Sequence, residues 1–148
     1  MDNYLTQERI DFLTKDYCRG FIRFCGLKAS RIKKGFFESQ VLIRKNHRTQ
    51  DNFIHAGLIA TMADHTAGYA AFTIVSENLR ILTIEFKINF FKPAYGNALK
   101  CRSKVISRGK QIIVSESKVY DVRDKREKLV AKGIITLMAI PEEKIAKV

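Results

Sequence analysis

Residues 55–75 read HAGLIATMADHTAGYAAFTIV, a stretch rich in alanine in which Asp64 is the only carboxylate. Burying a carboxylate is costly unless partners restore its lost hydration, so such a residue needs a reason to be there. One reason is bland: the side chain faces solvent or bonds a neighbouring turn. The chemical reason is a general base or nucleophile, as used in hydrolysis or proton transfer. His55 opens the same stretch, where an isolated histidine would cap or pack and a paired one would join the chemistry. Nine positions separate His55 from Asp64. On a helix at ~100° per residue this is about 900°, so the two side chains leave opposite sides, ~13 Å apart along the axis. A single site that uses both must therefore be built from two subunits, each lending its helix start to the other's Asp64. The free backbone N–H groups around Ala56, Gly57 and Leu58 lie at the positive end of that helix and suit a developing oxyanion.

These groups need a scaffold. An amphipathic helix is expected over residues 6–24, with Ile10, Leu13, Tyr17, Phe21 and Phe24 at three- and four-residue steps, Thr6 near its cap and Gly26 at its end. Alternation over residues 27–44 predicts two strands meeting near Lys34-Gly35. Residues 45–53 are polar and read as a loop, and residues 55–75 as one helix buried on most of its circumference. Four strand-like runs follow, 80–92, 97–107, 111–122 and 128–140, with turn chemistry between them. The charged tail after Pro141 is expected to fray. Short connections favour antiparallel pairing, and an uncharged helix needs cover. The economical solution is an α+β domain over residues 1–148, with one curved antiparallel sheet wrapped around the long helix and an additional N-terminal helix. A homodimer or homotetramer would finish covering the helix, whose small residues Ala56, Gly57, Ala60, Ala63, Ala67 and Gly68 allow close approach.

The chain carries 27 Lys and Arg against 15 Asp and Glu, a formal net charge of +12. A phosphate-rich partner is the first inference from that excess. Nucleic acid is the less favoured partner, because the basic residues are spread along the chain and no zinc or aromatic-glycine RNA-binding pattern is present. Cys18, Cys25 and Cys101 form no CxxC pair and no metal-spaced cluster, and Cys18 and Cys25 are expected to share one apolar helix face. No disulfide framework, metal site or bound cofactor is expected. The amino-terminal residues lack a secretory pattern and no apolar run is long enough for a membrane span, so a cytoplasmic protein is expected.

Asn52-Phe53-Ile54-His55-Ala56-Gly57, then Ala63-Asp64, then residues 82–94, LTIEFKINFFKPA, resemble the hotdog-fold acyl-CoA thioesterases of the phenylacetate-degradation type. That family shows a His-Gly-Gly helix start, an acidic residue nine positions after the histidine, and a long strand ending in a basic residue, Pro and Ala. The resemblance runs over residues 27–140. It implies that Asp64 activates water or attacks the thioester carbonyl, that the Ala56 amide is the oxyanion donor and that His55 orients the carbonyl or the helix start. It further implies that Thr83 helps place the attacking water. Ala56 departs from the family's first glycine, and Thr49 from the asparagine often found six residues before the histidine, a contact that Asn52 would then supply.

A thioester carbonyl needs an oxyanion site, an activated water and an apolar slot, and its thiolate leaves with little acid assistance. Gly57 lies at the oxyanion site, and Phe72, Phe90 or Phe91 are candidate slot walls. Coenzyme A is then part of the substrate, and its phosphates call for basic contacts from Lys92, Arg108 and Lys110, the last two flanking Gly109 in a turn. The run 123–128 mixes signs and reads as an exposed hairpin tip. The alternatives are a dehydratase or hydratase of acyl thioesters on the same fold, separable by thiol release against enoyl hydration, and a non-catalytic module binding acyl chains or nucleic acid.

Overall fold

A computed structural model describes residues 4–145. Thr6 caps α1 (Gln7–Tyr17), its Oγ1 accepting from the Arg9 amide at 3.1 Å. The expected single N-terminal helix is broken. Arg19 is extended and Gly20 sits at φ 54°, from which a second short helix, α2 (Gly20–Cys25), starts in a new direction. The break lets Leu13 and Tyr17 from α1 and Ile22 and Cys25 from α2 all reach the core, whereas Phe21 and Phe24, expected on the buried face, are 63% and 73% exposed. Cys18 and Cys25 consequently belong to different helical turns, Cys18 capping α1 and Cys25 packing from α2. Gly26 ends α2 in the left-handed region at φ 81°.

Strands β1 (Lys28–Lys33) and β2 (Phe36–Leu42) pair through the Lys34-Gly35 turn, as the alternation requires. The polar loop that follows contains a 3-10 turn, Lys45–His47, anchored by a buried His47 whose Nδ1 accepts from the Arg44 amide while Nε2 bonds the Cys25 carbonyl. Helix α3 (Ala56–Phe72) stops three residues short of its expected end. Thr73, Ile74 and Val75 are β-branched, and Thr73 Oγ1 donates to the Ala70 carbonyl at 2.7 Å, a local bond that competes with further helix.

Then come β3 (Leu79–Phe90), β4 (Ala98–Arg108), β5 (Ile112–Arg123) and β6 (Arg126–Pro141). All pair antiparallel, in the order β1-β2-β4-β5-β6-β3, so β1 and β3 are the two edges. The expected frayed tail begins as a 3-10 turn, Glu142–Lys144, tied down by the Glu142 amide on the Asn78 carbonyl and by Arg80 on Glu142 at 2.8 Å. Residues 1–3 and 146–148 lie outside the described ones.

The sheet curves around α3, whose Leu58, Ile59, Met62, Ala63, Ala67, Ala70 and Ala71 form the core with Phe37, Leu99, Val119, Ile135 and Leu137. The floor beneath the helix is partly hydroxylic. Ser117 Oγ donates to the Ala63 carbonyl at 2.7 Å, Ser103 and Ser117 are 2.6 Å apart, and Thr66 bonds both Ser39 and Tyr17. These bonds satisfy buried polar groups and fix the rotation of α3 on the sheet. Among the described residues, no helix is long and apolar enough to cross a membrane.

Candidate active site

With Ala63 and Thr66 pinned against the floor, helical geometry turns Asp64 away from the core toward β3. There Thr83 Oγ1 donates to Asp64 Oδ1 at 2.6 Å, the length of a strong hydrogen bond to a carboxylate. Immediately after Thr83 the register with β6 slips by one residue, so a β-bulge aims this side chain. Asp64 remains half-buried and borders two open cavities. One, about 440 Å³, is shared with Arg19, Phe21, Thr61, His65 and Phe86; the other, about 300 Å³, with Asp16, Tyr69, Arg80, Ile81 and Thr83. The carboxylate is thus held at one oxygen and accessible from solvent.

His55 is the N-cap of α3, and its Nδ1 accepts from the Gly57 amide at 2.8 Å. A ring nitrogen that accepts a backbone N–H is unprotonated, which leaves the neutral imidazole with its proton on Nε2. Nε2 has no partner among the described residues and faces a cavity of about 370 Å³ lined by Phe21, Phe24, Leu58 and Thr61. Gly57 is required for this cap, since a Cβ there would stand 2.9 Å from Nδ1. With Gly57 committed to the imidazole, the Ala56 amide is the outward N–H of the helix start with no acceptor among the described residues. Alanine in place of glycine at this position leaves that donor free.

The other predicted residues divide. Thr49 accepts from the Asp51 amide and its own amide bonds the Phe53 carbonyl, while Asn52 adopts φ 68°; both shape the turn before His55. Phe72 is buried in the wall of the Asp64 cavity, with Arg9 and Arg80 over its ring. Phe90 ends β3, and Phe91 and Lys92 follow it, all three exposed. Arg108 ends β4 and Lys110 lies in the turn to β5, at the opposite end of β4 from the Lys92 loop and so roughly 33 Å from it along an extended strand of this length. One chain does not bring these cations together, nor does it bring His55 to Asp64. Phe21, Phe24 and Phe86 were missing from the sequence-derived set. Phe21 lines both the His55 cavity and one Asp64 cavity, a position reachable only because Gly20 redirects α2.

The architecture is that of the hotdog fold, and the chain belongs to the thioesterase superfamily, which matches residues 51–128. A Saccharolobus solfataricus protein named as a candidate esterase is 30% identical over 112 residues, covering 76% of this chain and 77% of its own. The crystal structure of a thioesterase family protein from Silicibacter pomeroyi superposes with a TM-score of 0.84 at 30% identity, covering 88% of this chain and 98% of the other. A Haemophilus influenzae thioesterase shares the fold at a TM-score of 0.83 and 15% identity, over 95% and 96% of the two chains.

Proposed function

We propose that the protein hydrolyses acyl-CoA thioesters to the free acid and coenzyme A, as a thioesterase of the phenylacetate-degradation type acting in a reducing, cytoplasmic setting. The observation that carries this reading is the Thr83–Asp64 hydrogen bond at 2.6 Å, with the carboxylate open to cavities and a cap-bound histidine leaving the Ala56 amide unclaimed. Asp64 takes a proton from water, or attacks the carbonyl itself, while the Ala56 N–H stabilises the oxyanion and the His55 Nε2–H orients the carbonyl. Thr83 fixes the carboxylate and can share the attacking water. Family membership and the three free cysteines support the chemistry and the compartment.

The site is completed by a second copy. Edge strand β3 carries Leu82, Ile84 and Phe86 at 45%, 51% and 41% exposure, apolar side chains uncovered on an unpaired edge. Antiparallel pairing of two β3 strands sets the two α3 helices side by side. With a two-fold axis near the small residue Ala60, four residues on one side of it face four on the other, so Asp64 meets the helix start at Ala56 of the other protomer.

Asp64→Asn keeps the size and the Thr83 contact and is expected to lower kcat for acyl-CoA hydrolysis about 10²–10⁴-fold, with circular dichroism unchanged. Undiminished thiol release from a folded variant would sink the assignment.

A further inference from the structure

His65 follows Asp64 in the chain and borders both of the cavities that Asp64 borders, of about 440 and 300 Å³. Burial lowers its value below the ordinary one of about 6.5, against weaker opposing pulls from the Tyr17 carbonyl, Asp64 and Asp16, so the imidazole is neutral at pH 7. Its Nε2 lies 3.0 Å from the Tyr17 carbonyl, and a carbonyl only accepts, so the proton is on Nε2 and Nδ1 carries a lone pair. The ring is held in place. The Tyr17 and Tyr69 rings pack against it with centroids 4.5 and 4.8 Å away, and each tyrosine is itself tied, Tyr17 Oη to Thr66 at 3.0 Å and Tyr69 Oη to Asp16 at 2.7 Å.

The bond to Tyr17 accounts for one nitrogen, because it satisfies a carbonyl at the end of α1 that the helix itself leaves open. The other nitrogen has no such use. Among the described residues, the side-chain polar atom that is both sealed from solvent and without a partner is Ser115 Oγ, so Nδ1, which also lacks a partner, is reached by solvent. A rigid, neutral acceptor thus stands open beside the carboxylate.

A water that attacks a carbonyl is best held by both hydrogens, so that a lone pair faces the carbon. Asp64 supplies one acceptor, since Thr83 occupies Oδ1 at 2.6 Å and leaves Oδ2 without a partner among the described residues. Side chains of adjacent helical residues diverge by ~100° and do not touch, but their Cα atoms are ~3.8 Å apart, so a water about 2.8 Å from each acceptor can bridge them. We propose that His65 Nδ1 is the second acceptor, holding the attacking water against Asp64. This role rests on the thioesterase reading above and makes Asp64 the base rather than the nucleophile. As the C–O bond forms, one water proton passes to Asp64 Oδ2, and as the C–S bond breaks that proton goes to the departing thiolate sulfur. The other hydrogen stays on the product carboxyl group, bonded to Nδ1, until the acid leaves.

Two replacements separate this role from packing. His65→Gln carries an amide N–H able to reach the Tyr17 carbonyl but no acceptor at the Nδ1 position, whereas His65→Asn places an amide oxygen near that position and gives up the Tyr17 bond. Thiol release from phenylacetyl-CoA and from hexanoyl-CoA by the intact protein, read as kcat and KM, is set beside melting by calorimetry. His65→Gln is expected to melt within a few degrees of the parent and to lose about tenfold or more in kcat, with KM changed by less than about twofold. His65→Asn is expected to melt lower and yet to keep the higher kcat of the two. A folded His65→Gln with parental kcat overturns this role and leaves the thioesterase reading standing. So does a kcat that follows the melting temperature, with the asparagine variant the weaker enzyme. Thiol release from neither ester, by the parent or by either variant, refutes the thioesterase reading and this role with it.

Discussion

Gly57 is where the helix start trades stability for geometry. Gly57→Ala adds helix propensity worth about 0.8–1 kcal/mol and displaces a cap worth about 1 kcal/mol, so the two effects nearly cancel in the folding balance. They do not cancel in the site, where the new Cβ pushes on His55 Nδ1. The expected variant melts within a few degrees of the parent and loses about tenfold or more in kcat/KM, read by calorimetry and by thiol release. A variant with parental kcat/KM would show that the imidazole does not need its cap. At this scale the sequence was readable where chemistry contradicts its surroundings: one carboxylate in an uncharged helix singles out Asp64. Thr83 carried no such signal, being a β-branched residue in a strand, and entered only through the family pattern. Phe21 was visible but misplaced.

The elements explain that misplacement. Apolar steps of three and four run on through the Cys18–Gly20 break, so periodicity alone joins α1 to α2 and buries Phe21 and Phe24 on paper. Only the backbone freedom of Gly20 separates them. The strand order was not legible either, since β3 follows α3 in sequence yet pairs with β6 at the far edge, a non-local choice that no local pattern encodes. In the proposed dimer, that placement makes β3 the element on which assembly depends. Ile84→Lys puts a charge on that exposed edge and is expected to convert the proposed dimer into a monomer by light scattering, with acyl-CoA hydrolysis falling more than tenfold. A monomer that keeps full activity would show that one chain holds a complete site.

For the whole molecule, the two partly or fully buried histidines set the response to acid. Burial lowers the His47 value, with Arg44 adding to it against the pull of the Cys25 carbonyl, and lowers the His65 value against weaker opposing pulls from the Tyr17 carbonyl, Asp64 and Asp16. The unfolded chain therefore binds protons that the fold refuses. Stability is fully present above the ordinary histidine value of about 6.5 and is lost as the pH falls below it. Urea unfolding at pH 7.5, 6.5 and 5.5 should give falling midpoints; a midpoint that rises on acidification would refute the sign. Part of the net charge of +12 is balanced locally in the middle of the sheet, where Lys100 and Arg102 meet Glu127 and Lys132 meets Glu116.

The sheet's two ends differ in kind. Against the long apolar β3, the opposite edge β1 is six residues, KASRIK, with three cations and no acid. Two such edges repel when laid side by side, and a charged, short edge offers little template for backbone pairing. Once β3 has met its own copy, growth by strand addition has nowhere to continue. In the proposed dimer the sheet that recruits a partner thus also terminates the assembly, which would guard a concentrated solution of the protein against fibres.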